Sequence, residues 1–114
     1  MGRASKIAKA PPAAVEETLL KLGSNIRTAR LRRKLRLEDL AECVGISRYV
    51  MSDIEKGKAT TAISSYLGAL WALGLLDDMK MVADPDNDIE GKTLEKSRLP
   101  KTASKRRKEL DNDF

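Results

Sequence analysis

The sequence contains no histidine and a single cysteine, Cys43. Histidine is the usual general base near neutral pH and the commonest metal ligand in proteins, so its absence disfavours acid–base catalysis and histidine-based metal sites. A lone cysteine excludes an intrachain disulfide and a cysteine-based metal cluster, and it fits a reducing compartment. Because Cys43 lies between two positions predicted to face inward, we expect a half-buried packing thiol.

The other patterns associated with catalysis or metal binding are incomplete. Serine-based nucleophilic chemistry lacks a base, and no phosphate-binding glycine motif occurs. The spacing of Asp84, Asp86 and Asp88 resembles the opening of a calcium loop. However, Ile89 occupies the position where such a loop requires glycine. We therefore predict that the protein is not an enzyme and uses no metal or other cofactor.

Aromatic residues and long apolar runs are also scarce. Aromatic residues make up 4% of the chain, so any core must be mostly aliphatic. The longest apolar run, residues 66–76, is too short to span a bilayer. The N-terminus lacks the apolar stretch of a signal peptide. We expect a cytoplasmic protein that has no membrane partner.

Charged residues are abundant, at 34% of the chain, and they are arranged in blocks. Residues 1–36 carry ten Lys and Arg against two acidic residues, and residues 97–114 carry six against three. The stretch between them carries twice as many acidic residues as basic ones. Basic ends around an acidic middle favour nucleic acid or an acidic protein surface as partner, although solvated charge alone also explains a net charge of +5.

Apolar residues recur along the chain at intervals of three and four, which is typical of amphipathic helices. No strand pattern competes with this spacing, so we predict an all-α fold with five helices. The predicted helices cover 13–36 (one helix, or two divided at Gly23), Leu37–Val44, Ser47 to about Lys56, Thr60 or Thr61 to Gly74, and Leu76–Ala83.

These helices divide the chain into one folded domain and two tails. Residues 1–12 are predicted to form a mobile basic arm, residues 13–83 the helical domain, and residues 84–114 a charged tail that is disordered when free. The positions predicted to face the core are Val15, Leu19, Leu22, Ile26 and Ala29; Leu37, Leu40, Ala41 and Val44; Val50, Met51 and Ile54; and Ile63, Tyr66, Leu67, Leu70 and Trp71.

Residues 40–57 combine a small residue, a turn glycine and two spaced apolar residues. Ala41 lets two helices cross closely, and Gly45 can take the positive φ of a sharp turn. Met51 and Ile54 direct the next helix onto the same core, which is the helix-turn-helix arrangement, although a helical hairpin without DNA-binding activity shares this spacing. The third helix is predicted to expose Ser47, Arg48, Tyr49, Ser52, Asp53 and Lys56.

Residues 26–58 carry the motifs Ile-Arg-x-x-Arg, Leu-Ala, Gly-Ile-Ser and Ser-x-Ile-Glu-x-Gly in that order. With these motifs the segment resembles the helix-turn-helix of the XRE family, the lambda-repressor and Cro-like regulators. The resemblance implies a lambda-repressor-like domain with a partly buried ion pair between Arg30 and Glu55. Two residues depart from the family pattern: Leu37 replaces a polar residue that often braces the recognition helix, and Arg36 replaces the usual Ser or Thr cap.

The same resemblance implies that the third helix enters the major groove and that a dimer binds a palindromic operator. Arg48, Tyr49 and Asp53 align with the base-reading positions; Arg48 suits guanine. Asp53 is expected to repel phosphate and to accept a hydrogen bond from a cytosine amine, or to restrain Arg48 or Lys56. The residues assigned to phosphate contacts are Ser47, Ser52, Lys56, Lys58, Thr61 and Arg36, with Arg32, Arg33 and Lys34 as further candidates.

Beyond the third helix the sequence contains Leu73-Gly74-Leu75, Asp78, Ala83-Asp84-Pro85, Gly91 and Leu99-Pro100-Lys101. With these motifs it resembles HipB-like antitoxins, which are encoded beside HipA-type toxin kinases. The resemblance implies a bacterial, nucleoid-associated autorepressor that also binds a HipA-like kinase. A free-standing XRE repressor and a helical adaptor that binds only protein are the alternatives. A homodimer interface is assigned to Trp71, Leu75, Leu76, Met79 and Val82, unless these residues complete the core.

Overall fold

The computed structural model describes residues 5–98 of the chain. These residues are helical with no β-strand, which confirms the predicted all-α class. They belong to two compact units divided between Asp77 and Asp78. None of the described helices has both the length and the apolar character needed to cross a membrane. The helices are α1 (Lys6–Lys9), α2 (Ala13–Arg32), α3 (Leu37–Val44), α4 (Arg48–Glu55), α5 (Ile63–Leu73) and α6 (Ile89–Arg98), with 3₁₀ helices at Leu76–Met81 and Pro85–Asn87.

The basic arm contains one helical turn that the sequence did not predict. The turn, α1, begins at Ser5, whose hydroxyl accepts a hydrogen bond from the backbone N–H of Ala8 at 3.3 Å. A four-residue helix is too short to produce a recognisable apolar period, so only its cap is visible in the sequence. Residues 1–4 of the arm lie outside the described part of the chain.

α2 is one continuous helix through Gly23, so the alternative of two helices is excluded. A Cβ atom on Gly23 would lie 2.6 Å from the carbonyl oxygen of Ile54 and 2.7 Å from that of Glu55. It would also lie 2.7 Å from the backbone nitrogen of Gly57. Glycine is therefore required here because α2 packs with its backbone against the C-terminal end of α4.

The core of the first unit is aliphatic apart from one buried tyrosine, as the low aromatic content predicts. Its largest fully buried side chains come from α2, α3 and α4, so these three helices share one core. The fully buried large side chains are Ile26, Leu40, Met51 and Ile54, and the other buried apolar residues are Ala29, Ala41, Tyr66, Ala69, Leu70 and Leu73.

Four side chains that were predicted to be buried or half-buried are exposed, and these predictions are wrong. The buried residues of α2 begin only at Gly23. The buried stripe of α5 is narrow, with four residues at i, i+3, i+4 and i+7, and α3 buries only two adjacent residues. Apolar spacing indicates a face but not how much of that face a neighbouring helix covers. The exposed side chains are Val15, Cys43, Ile63 and Trp71.

α5 begins after Ala62 rather than at Thr60 or Thr61, which corrects the predicted cap. The carbonyl oxygen of Lys58 accepts hydrogen bonds from the Thr61 N–H at 3.3 Å and from the Tyr66 hydroxyl at 2.7 Å. These bonds close residues 58–61 into a turn before α5, so both threonines belong to that turn.

The helix predicted over Leu76–Ala83 is shorter and tighter than expected. It is a 3₁₀ helix that ends at Met81. Ala83 then adopts a positive φ of 57°, a left-handed conformation that cannot continue a helix. This conformation explains why the regular structure ends before the predicted residue.

Residues 85–98 contain helical structure, which contradicts the disorder predicted for this part of the tail. The Asp84 carboxylate accepts a hydrogen bond from the Asp86 N–H at 3.0 Å, and the Asp88 carboxylate accepts one from the Gly91 N–H at 2.9 Å. α6 buries no side chain, so local capping rather than an apolar face defines where it begins. Residues 99–114, with the Leu99-Pro100-Lys101 motif, lie outside the described part of the chain.

Arg36 is the N-cap residue of α3, although arginine is not a capping side chain. One half of a capping box is present instead, because Asp39 Oδ2 accepts a hydrogen bond from the Arg36 N–H at 2.9 Å. The Arg36 guanidinium also donates to the Asp39 carboxylate, with both contacts at 3.2 Å. These bonds lower the pKa of Asp39 from its ordinary value of 3.8 and raise the pKa of Arg36.

The lowered pKa of Asp39 makes its contribution to stability dependent on pH. The contribution is fully present above the ordinary value of 3.8 and is lost as the pH falls through the lower folded-state value. We expect the difference in free energy of unfolding between the wild type and Asp39→Asn to shrink as the pH falls across the interval between 3.8 and the lower pKa of folded Asp39. Urea unfolding followed by circular dichroism above and below the interval measures it, and a difference independent of pH would contradict the assignment.

Candidate nucleic-acid interface

Residues 45–47 form a short turn between α3 and α4. Gly45 takes a φ of 81°, and its N–H donates to the carbonyl oxygen of Ala41 at 2.9 Å. The Ile46 N–H donates to the same oxygen at 3.0 Å, which ends α3 in a left-handed cap. Ser47 then starts α4, since its hydroxyl accepts from the Val50 N–H at 3.2 Å. The structure therefore contains the predicted pair of short helices joined at a left-handed glycine.

α4 has one buried face and one face that solvent reaches. Met51 and Ile54 are completely buried and fix the helix on the core. Ser52 and Asp53 are half-buried, and the other predicted contact residues of this helix are exposed. At 100° per residue, Arg48, Tyr49, Ser52, Asp53 and Lys56 lie within an arc of about 140° on one side of the helix. These five residues, together with the N-cap residue Ser47 at the start of the helix, are called the α4 face below.

Arg48 and Tyr49 form a cation–π pair at the N-terminal end of the α4 face. The guanidinium carbon of Arg48 lies 5.4 Å from the centre of the Tyr49 ring, and Tyr49 is 72% exposed. This stacking restricts the guanidinium without using its N–H donors. Arg48 therefore keeps the planar fork that binds the O6 and N7 atoms of guanine.

Asp53 pairs with Lys58, which is neither of the two partners expected from the sequence. The Lys58 ammonium lies 3.2 Å from Asp53 Oδ1, and both side chains are partly exposed. Burial, and after it the negative charge of Asp53, raises the pKa of Tyr66 above 10.0. The hydroxyl of Tyr66 donates to the carbonyl oxygen of Lys58. We call Asp53, Lys58 and Tyr66 the Lys58 cluster.

Arg30 and Glu55 form the ion pair that the family resemblance implies. Arg30 Nε lies 2.7 Å from Glu55 Oε2, and Nη2 lies 2.9 Å from Oε1, so the two groups pair in bidentate fashion. Their side chains are only 10% and 7% exposed. Arg30 also donates to the carbonyl oxygen of Leu35 at 2.8 Å. Hydrogen bonding to Glu55 raises the pKa of Arg30, so one charged group joins α2, the loop before α3, and α4.

The basic residues between α2 and α3 are exposed but differ in how they are held. Arg36 pairs with Asp39 and, at 3.6 Å, with Glu38, so its charge is already compensated by two carboxylates. Arg33 donates to the carbonyl oxygen of Ala29 at 2.8 Å. Lys34 takes a φ of 55°, which turns the chain out of α2. The phosphate contact assigned to Arg36 therefore requires DNA to compete with Asp39 and Glu38.

The residues assigned to a dimer interface are divided between the two units. Trp71 and Leu75 belong to the first unit and are 63% and 37% exposed, and Leu76 is half-buried. Met79 and Val82 belong to the second unit, and Val82 is 64% exposed. The two most exposed of these side chains, Trp71 and Val82, do not complete a core within the described residues.

The sequence did not reveal the contacts that set the position of α4. Three contacts join residues that no local sequence pattern connects. The backbone of Gly23 approaches that of Gly57, the Tyr66 hydroxyl donates to the Lys58 carbonyl oxygen, and Arg30 donates to the Leu35 carbonyl oxygen. Charge signs indicated that Asp53 would pair with a cation, but not which one. Comparison with protein families, with curated proteins and with solved structures finds no match to the chain.

Proposed function

We propose that the chain is a sequence-specific DNA-binding protein with a lambda-repressor-like helix-turn-helix and that it acts as a transcriptional repressor. The proposal rests mainly on α4. A polar and cationic face projects from a helix whose opposite face is completely buried at Met51 and Ile54. Such a helix can enter the major groove without loss of its packing. The bidentate Arg30–Glu55 pair holds this helix at a fixed angle to α2, and recognition of base edges requires a fixed angle.

In this proposal the residues of the α4 face have different tasks. Arg48, stacked on Tyr49, reads a guanine, because its N–H donors remain available. Lys56 has no ion-pair partner among residues 5–98, so its charge is available to a phosphate. Ser47, Ser52 and Thr61 contribute hydroxyl groups at the rim.

Arg48→Ala tests the base-reading assignment. We expect a loss of about 1–3 kcal/mol in binding to a preferred sequence and little change with random DNA, because a guanine contact carries sequence information. Lys56→Ala is the comparison variant, since the loss of a phosphate contact weakens binding to all sequences by similar amounts. Fluorescence anisotropy at one salt concentration measures both, and an equal loss on all DNA for Arg48→Ala would reassign it to phosphate.

The finer proposal is that the repressor is a HipB-like antitoxin that dimerises and binds a HipA-type kinase. It rests on the sequence resemblance over residues 73–101 and on the exposed apolar side chains of Trp71 and Val82, which leave surface for a second chain. Co-purification from the native host tests it. A kinase that elutes with the protein would support the antitoxin assignment, and a DNA-binding protein that elutes alone would favour a free-standing XRE repressor.

A further inference from the structure

Lys58, in the loop that follows α4, is held at three separate points. Its N–H donates to the carbonyl oxygen of Asp53 at 3.1 Å, and its own carbonyl oxygen accepts from the buried Tyr66 hydroxyl at 2.7 Å. Its ammonium lies 3.2 Å from the Asp53 carboxylate. The backbone of Lys58 is therefore fixed beside the last turn of α4, and only its charged group can exchange partners.

The carboxylate that holds Lys58 lies on the α4 face. The side chain of Asp53 is 37% exposed and that of Lys58 is 50% exposed, so DNA docked on this face reaches both groups. A carboxylate and a phosphate offer an ammonium group the same kind of charge-assisted acceptor. A phosphate that approaches Lys58 therefore competes with Asp53 for the same ammonium group, and the two negative groups repel each other, which favours separation of the Asp53–Lys58 pair when the phosphate binds.

We propose that Asp53 substitutes for a DNA phosphate in the free protein and makes the phosphate contact of Lys58 conditional on the base that faces Asp53. This inference rests on the proposed function. Cytosine N4 and adenine N6 are the amine donors that the major groove presents to a carboxylate. Where such an amine faces Asp53, the carboxylate gains a donor and the ammonium of Lys58 moves to the backbone phosphate. At other bases the Asp53–Lys58 pair stays closed.

The closed Asp53–Lys58 pair therefore lowers the affinity for non-specific DNA, and this loss of affinity disappears on the correct sequence. On random DNA, Lys58 contributes little, because it remains paired with Asp53. Asp53→Asn releases Lys58 and is expected to raise the affinity for random DNA roughly two- to fivefold, the equivalent of one exposed ion pair. It should also steepen the dependence of log K on log salt by about 0.9, the value of one added phosphate contact.

The decisive comparison is Asp53→Asn with and without Lys58→Met. If Lys58 mediates the effect, Asp53→Asn raises the affinity clearly less in the Lys58→Met background than in the wild type, because only relief of the repulsion between Asp53 and phosphate remains, and the added steepness of about 0.9 in the salt slope is lost. Lys56→Met is the matched control, because Lys56 lies nearby in the sequence and has no ion-pair partner among residues 5–98. Its loss should flatten the salt slope by about 0.9 whether or not Asp53 is present.

Anisotropy with random duplex DNA over a range of salt concentrations provides these slopes for the full chain. Because both side chains of the pair are partly exposed, each variant is expected to keep its fold, and the unfolding midpoint checks this. An equal rise in DNA affinity for Asp53→Asn with and without Lys58 would overturn the proposal, because repulsion between Asp53 and phosphate would then explain the whole effect. If the wild type binds neither random nor selected DNA at low salt, the proposed function itself fails.

A selection of binding sites from a random DNA pool tests whether Asp53 recognises a particular base. The wild type should enrich cytosine or adenine at one position in each half-site, and Asp53→Ala should lose that enrichment while it keeps the guanine selected by Arg48. Equal enrichment with Asp53→Ala would overturn the assignment of the base to Asp53.

Discussion

Gly57→Ala is expected to destabilise the fold by about 2–5 kcal/mol, a large part of the stability of a small domain. Gly57 has a φ of 69°, which alone costs an alanine about 1–2 kcal/mol. A Cβ atom there would also overlap the Leu19 carbonyl oxygen and lie 2.6 Å from its carbon and 2.8 Å from the Leu20 Cα. All three atoms are backbone atoms of α2, so no side chain can move aside. Overpacking of this kind costs about 1–3 kcal/mol, occasionally more.

Three other glycines distinguish the cost of the positive φ from the cost of the overlap between the added Cβ atom and its neighbours. Gly45 and Gly74 have φ values of 81° and 76°, but a Cβ on either would meet nothing within 4 Å. Gly45→Ala and Gly74→Ala should therefore cost only about 1–2 kcal/mol. Gly23→Ala tests the steric part alone, because Gly23 lies within α2 and its Cβ would meet backbone atoms of α4. Urea unfolding measures all four, and equal costs for Gly57→Ala and Gly45→Ala would contradict the packing described.

Arg30→Met is expected to cost about 3–5 kcal/mol, because it leaves the Glu55 carboxylate buried without a counter-charge. The Glu55 side chain is only 7% exposed, so water cannot replace the guanidinium. The loss also removes the donor to the Leu35 carbonyl, which holds the loop before α3. Arg30→Lys should rescue little, since an ammonium cannot reproduce the two parallel bonds of the fork.

The double variant Arg30→Met with Glu55→Met distinguishes an unpaired charge from lost packing. Removal of both charges should recover much of the stability lost in Arg30→Met, because no buried charge then lacks a partner. Glu38→Gln is the surface control: the Arg36–Glu38 pair is 75% and 51% exposed, so its loss should change stability by less than about 1 kcal/mol. Unfolding midpoints in urea compare these variants, and an additive double variant would contradict the assignment of the cost to charge.

The features predicted correctly from the sequence are those that depend on neighbours along the chain. The turn at Gly45, the cap at Ser47 and the inward positions Met51 and Ile54 follow from spacing within eighteen residues. The Arg30–Glu55 pair, in contrast, joins residues 25 positions apart and was expected only from a family resemblance. Spacing alone cannot identify which of several cations reaches a buried carboxylate.

The features that were missed depend on what lies opposite in space. Gly23 looked like a helix interruption, but it is the place where the α4 backbone approaches α2. Trp71 looked like a core residue because it follows the apolar period, yet the buried stripe of α5 does not include it. Lys58 lies beyond the end of α4, so helix periodicity could not place it beside Asp53.

The most direct test of the proposed function is the affinity of the wild type for the DNA upstream of its own gene, compared with random DNA of the same length and composition at the same salt concentration. Fluorescence anisotropy measures both. We expect binding to the upstream DNA to be on the order of a thousandfold tighter or more and to weaken steeply as salt is added. Equal affinity for the two DNAs, or no binding at low salt, would contradict the account of α4 as a recognition helix.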